Sequence, residues 1–122
     1  MTAPTIRPAS PDDVAGVVAM LAPVIALGEA YALPRDMTSA AIADHWFAAA
    51  HQVFVAERDG VLLGSYYIQA NQAGGGAHVA NAGYVTAEAA RGQGVARAMA
   101  EHSFDAARGA GFRAMQFNFV LA

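Results

Sequence analysis

The sequence predicts a mixed α/β domain with elements in the order β-α-α-β-β-β-α-β, and three observations point to it. Apolar residues recur at helical spacing in two segments of the first half, and the period changes to that of strands from Val53 onward. A glycine-bearing turn then leads into one long helix and a final strand. That closing β-α-β unit is expected to be parallel and right-handed. No repeat or linker divides the 122 residues, so residues 1–122 are expected to form a single domain.

The first element is a short extended segment, Thr5-Ile6-Arg7-Pro8. Ser10-Pro11-Asp12-Asp13 follows as a helix entry, with a capping hydroxyl, a proline in the first turn and acids at the positive end of the dipole. Val14, Val17, Val18, Leu21 and Ile25 mark the buried face of the first helix, and Pro23 is expected to bend it rather than end it. The loop from Gly28 to Met37 leads to Thr38-Ser39, which caps a second helix expected over Ala40 to Ala50. Ile42, Trp46 and Phe47 lie at core positions of that helix.

Val53 to Arg58, Asp59-Gly60 and Val61 to Ala70 read as a hairpin. The stretch Asn71 to Ala77, with its three consecutive glycines, leads to a strand from His78 to about Val85. A helix is expected over Gly92 to Arg108, burying Val95, Met99 and His102 and closed by Gly109 and Gly111. The last strand runs from Ala114 to Val120.

Composition narrows the chemistry. Hydrophobic residues make up 56% and charged residues 14%, too apolar a balance for a disordered chain. The absence of Cys removes disulfides, thiolate metal sites and a Cys nucleophile, and the absence of Lys removes a Walker-type phosphate loop and a Schiff base. A net charge of -3 gives no general attraction to nucleic acid, although Arg91, Arg97, Arg108 and Arg113 make one segment locally basic. His45, His51, His78 and His102 include no pair at i, i+4, so no metal is expected. The apolar stretch Val14 to Leu27 is too short to span a bilayer and no secretory signal precedes it, so the expected setting is cytoplasmic and free of membrane.

The residues that carry chemistry are Arg91-Gly92-Gln93-Gly94-Val95-Ala96. A strand leading through glycines into a helix directs unpaired backbone N–H groups and the helix dipole at one point, which is an anion site. Gly92 and Gly94 allow close approach of phosphate oxygens, and Arg91 adds charge at the rim. The same glycine pair is also what a plain tight turn requires. A dinucleotide-binding fingerprint does not fit, because Arg97 stands where its third glycine belongs and only one strand remains downstream.

Here the sequence resembles the GNAT superfamily of N-acetyltransferases. The family motif, Arg or Gln, two residues, Gly, one residue, then Gly or Ala, is met by Arg91, Gly94 and Ala96, and the element order around it agrees over nearly the whole chain. The resemblance implies a GNAT-like fold and transfer of an acetyl group from acetyl-CoA to a primary amine of a small molecule or amino acid. It implies that Gly92 to Ala96, with Gln93 and Val95 among them, hold the pyrophosphate through backbone N–H groups, and that Tyr84, Val85 and Thr86 line the pantetheine arm. A backbone N–H between Ala82 and Tyr84 would receive the developing oxyanion.

In some relatives the general base is a carboxylate on this strand, where this chain has Asn81. Asn81 and Glu29 are the catalytic candidates, the first to position a water or the substrate and the second as a carboxylate from the loop over the acceptor pocket. Tyr31 and Arg35 in that loop are the substrate candidates, Arg35 for a carboxylate. Glu88, where many relatives have Pro, reads as structural. The family continues past the last strand with a further helix and strands, so the resemblance implies a C-terminally truncated form. It also implies an apolar end, Phe117 to Ala122, open to pairing in a homodimer. The alternative reading is a non-catalytic or incomplete coenzyme A-binding module.

Overall fold

A computed structural model of the chain describes residues 3–27, 34–70, 79–111 and 114–121. Strand β1 covers Thr5–Pro8, helix α1 Val14–Ala26, helix α2 Ser39–Trp46, and strands β2 and β3 Gln52–Arg58 and Val61–Ala70. Strand β4 covers Val79–Thr86, helix α3 Val95–Gly109 and strand β5 Ala114–Leu121. The five strands form one sheet in the order β1-β2-β3-β4-β5, antiparallel throughout except for the parallel β4–β5 pair. The expected order and the parallel closing unit are both present.

Strand period two distributes the sheet residues between two cores. Val55, Tyr67 and Val85 face α1 and α2, where they pack with Val17, Leu21, Ile25, Ile42 and Trp46. Ala56, Tyr66, Ile68, Ala82 and Tyr84 face α3 and pack with Val95, Met99 and Ala107. A bulge in the β2–β3 pairing, between Ala56 and Glu57, leaves Leu63 without a Cα partner and places it in the α3-side core beside its even-numbered neighbours.

Three polar links fasten the helices to the sheet. Trp46 Nε1 donates to Ser65 Oγ at 3.0 Å, and Ser65 Oγ donates to the Phe54 carbonyl at 2.7 Å. On the other face Tyr84 Oη lies 2.5 Å from Ser103 Oγ, and Tyr66 Oη lies 2.6 Å from His102 Nδ1. Burial raises the pKa of both phenols, so both keep their protons at neutral pH.

The helix ends differ from the sequence expectation for local reasons. Pro23 lies inside α1, which continues to Ala26. Helix α2 stops at Trp46 rather than near Ala50, because Phe47 leaves helical geometry and the His51 ring nitrogen Nδ1 meets the Trp46 carbonyl at 2.8 Å. Helix α3 begins at Val95 rather than Gly92, because Gly92 and Gly94 both sit at φ 78°, outside the right-handed helix. The hairpin turn is of the expected kind, with Asp59 at φ 53° and Gly60 at φ 79°.

At the N-terminus, Arg7 binds Asp13 through two hydrogen bonds of 2.8 and 3.0 Å and Glu57 through a third of 3.0 Å, tying the chain start to β2. The Asp13 carboxylate also accepts from the Ser10 N–H at 2.7 Å. These contacts, led by Arg7, hold the Asp13 pKa down at about 2. Among the described residues no helix is long and apolar enough to cross a membrane.

Candidate functional site

The C-terminal end of β4 opens into a short 3-10 turn, Glu88–Ala90, and then the turn Arg91 to Gly94 before α3. Ala87 N–H donates to the Leu63 carbonyl at 2.8 Å, which anchors the start of this connection to the bulge in β3. The first helical hydrogen bond runs from Ala98 N–H to the Gly94 carbonyl at 3.0 Å, and glycine at the N-cap supplies no side-chain cap. The first-turn N–H groups of a 15-residue helix are thereby left for another acceptor.

Two cavities meet at this end of the sheet. One, of about 270 Å³, is lined by the loop itself, from Ala90 through Gly92 and Gly94 to Arg97. The other, of about 300 Å³, lies between α1 and the end of β4, with Met20, Val24 and Leu27 on one wall and Ala87 and Glu88 on the other. Thr86 and Arg91 line both, so the two cavities adjoin, the first edged by Arg91 and Arg97 and the second mixing the apolar side chains of α1 with Glu88, Thr86 and Arg91. A Cβ built on Gly92 or Gly94 meets no atom within 4 Å, so open space lies directly against that backbone. Thr86 Oγ1 is buried beside these cavities and has no hydrogen-bond partner among the described residues.

Of the three β4 residues expected beside the cofactor arm, Thr86 lines both cavities. Tyr84 and Val85 send their side chains into the two opposite cores, and both pair with β5, at Val120 and Leu121. The β4–β5 ladder breaks one step earlier: Ala82 pairs with Phe117 and Gly83 with Phe119, leaving Asn118 unmatched. A register break in a parallel ladder takes backbone groups out of regular pairing, and this one falls within the Ala82 to Tyr84 segment expected to offer an N–H.

Asn81 sits two residues before the break, paired across β3 with Gln69. Its Oδ1 is buried and finds no hydrogen-bond partner among the described residues. Arg35 is exposed and lines neither cavity. Glu29, Tyr31 and His78 lie outside the described residues. No group of three or more His, Cys, Asp or Glu side chains arranged to hold a metal occurs among the described residues.

Two arrangements escape sequence reasoning. His51 stacks on Tyr67 at 3.9 Å between ring centroids, with His45 edge-on to both, although the two histidines come from different elements and share no recognisable spacing. Burial first, and the neighbouring His51 second, hold the His45 pKa below its ordinary value. The second is a contact between Arg58 at the end of β2 and Gln93 in the loop, 35 residues apart in sequence. No local pattern announces a pair of that separation.

Residues 24–121 match the model of the acetyltransferase (GNAT) family. A GCN5-related N-acetyltransferase from Kribbella flavida superposes with a TM-score of 0.86 at 36% identity, over 95% of this chain and 71% of its own. The yncA protein of Salmonella typhimurium, solved with its cofactor acetyl-CoA, shares the fold at a TM-score of 0.81 and 22% identity, over 95% of this chain and 69% of its own. A phosphinothricin acetyltransferase from Sinorhizobium meliloti, in complex with acetyl-CoA, gives 0.82 at 19% identity, over 95% and 65%. No curated protein matches by sequence. With the family model matched across α2, the four strands β2 to β5, the glycine loop and α3, the chain belongs to the GNAT family of acetyltransferases.

Proposed function

We propose that the chain transfers an acetyl group from acetyl-CoA to a primary amine of a small molecule or amino acid. The observation that carries this reading is the pair of adjoining cavities at the end of β4, which share Thr86 and Arg91, one built on the glycine turn before α3 and the other walled by Met20, Val24 and Leu27. A pyrophosphate ester with a long arm of mixed polarity needs the same two neighbouring spaces. When bound, acetyl-CoA supplies an activated acetyl thioester, and the remainder of the work falls to the protein.

Backbone N–H groups from Gly92 to Ala96, with Gln93 and Val95 between them, would hold the phosphates at the start of α3, and Arg91 would add a cation at the rim. The Thr86 hydroxyl, which has no partner among the described residues, and the wall of Met20 and Val24 suit the arm. The register break at Ala82 and Gly83 supports the expectation of a backbone donor for the developing oxyanion between Ala82 and Tyr84. Asn81 Oδ1, buried and without a partner among the described residues, would accept a hydrogen bond from the incoming amine or a bound water. An amide cannot take the amine's proton, so the base in this reading is Glu29, with Tyr31 and Arg35 in the same loop serving the acceptor.

The outer edge of β5 carries no further strand among the described residues, which supports pairing of two copies along it. Sedimentation equilibrium should then show a dimer.

The deciding experiment follows free thiol released from acetyl-CoA over a panel of primary amines, alongside calorimetric titration with coenzyme A. Thiol release that depends on an amine supports the enzyme. Binding without turnover over the whole panel favours a non-catalytic coenzyme A module, the reading that Asn81 in place of a carboxylate motivates. No binding at millimolar coenzyme A removes the cofactor assignment.

A further inference from the structure

Arg58 ends β2, immediately before the Asp59-Gly60 turn, and reaches the glycine loop from the far end of the hairpin. Its Nη1 donates to Gln93 Oε1 at 3.1 Å, while Gln93 Nε2 donates to the Ala89 carbonyl at 3.2 Å. A guanidinium can only donate and a peptide carbonyl can only accept, so this orientation of the amide is the one that satisfies both partners. Gln93 thus connects the hairpin to the 3-10 turn that precedes the loop.

Gln93 also differs from its neighbours in where it faces. Arg91, Gly92, Gly94, Val95 and Ala96 all line the loop cavity and Gln93 does not. Its side chain is occupied by Arg58 and Ala89, so that side chain serves the loop's shape and only its backbone N–H is left to face a ligand. That shape needs support. Two glycines at φ 78° flank Gln93, and glycine has more alternative conformations to lose than any other residue. A loop ordered before its ligand arrives avoids the cost of ordering it on binding.

We infer that Arg58 is a positioning residue for the cofactor cradle, acting through Gln93 to hold residues 91–94 in their phosphate-receiving form. The inference rests on the cofactor reading above. The bond is charge-assisted and half-buried, so it outlasts the screening that weakens exposed pairs.

The test is calorimetric titration of the 122-residue chain with coenzyme A, comparing wild type with Arg58→Met, Gln93→Met, their double variant and Arg58→Lys. Each Met variant should weaken binding about tenfold, which corresponds to one hydrogen bond to a charged group. The double variant should fall within about twofold of either single one, because both remove the same link. Arg58→Lys keeps a donor and should bind within about threefold of wild type.

Wild-type affinity in Gln93→Met, or losses that multiply in the double variant, would overturn the inference and leave the cofactor reading intact. A wild-type chain that binds no coenzyme A removes both. Melting curves confirm that each variant is folded, and Arg58→Lys carries the test if the Met variant at that position is not.

Discussion

Trp46 Nε1 and Ser65 Oγ are 3.0 Å apart with both residues fully buried, so the indole of α2 is satisfied by a hydroxyl in the middle of β3. The hydroxyl donates its own hydrogen bond to the Phe54 carbonyl, so one small side chain serves two buried groups. Ser65→Ala keeps the volume almost unchanged and leaves the indole N–H without a partner. It should cost about 1–3 kcal/mol, read as a lower urea midpoint with unchanged slope.

Gly64 stands at a different kind of contact. A Cβ there would lie 2.8 Å from Met99 Cε and 2.9 Å from the Val85 carbonyl oxygen. The methionine end can swing away and the backbone oxygen cannot. Gly64→Ala should therefore destabilise by about 1–3 kcal/mol, and shortening Met99 to Ala in the same chain should fail to restore wild-type stability.

The loop glycines are limited by conformation, since space is open around them. Gly94→Ala forces an alanine to φ 78° at a cost of about 1–2 kcal/mol in thermal or urea unfolding. It also places a methyl group in the cradle. Coenzyme A affinity should drop by more than tenfold, whereas Gly60→Ala, equally strained at φ 79° but on the hairpin turn, should leave affinity within about twofold.

Acid should remove stability in two separated steps. His45 has its folded pKa below the ordinary value of 6.5, so the unfolded chain binds the proton first and stability falls as pH drops below about 6.5. Asp13 has its folded pKa lowered from 3.8 to about 2, so its contribution is complete above 3.8 and is lost as pH falls toward 2. Urea midpoints measured from pH 8 to pH 2 should show both limbs. His45→Gln should flatten the upper limb only, and Asp13→Asn the lower one only.

Much of this architecture is legible in the residues themselves, for reasons that can be named. The apolar and aromatic run from Val61 to Ile68 and the Asp59-Gly60 pair specify a hairpin locally, and the spacing of Val17, Leu21 and Ile25 specifies a buried helix face. The glycine loop is legible because its function depends on backbone conformation, which glycine advertises. What is not legible depends on distant residues arriving together. Arg58 and Gln93, or His51 and Tyr67, carry no mark of each other until the sheet and its connections bring them into contact. Helix ends fall between these cases: α3 starts late because two glycines turn left-handed, a choice that helix propensity alone does not reveal.

The break between β4 and β5 has a property that no side chain controls. It exists because β5 carries one residue more than β4 over the same span, with Asn118 as the surplus. The gap is thus a matter of chain counting, so an insertion or deletion along either strand would move or close it.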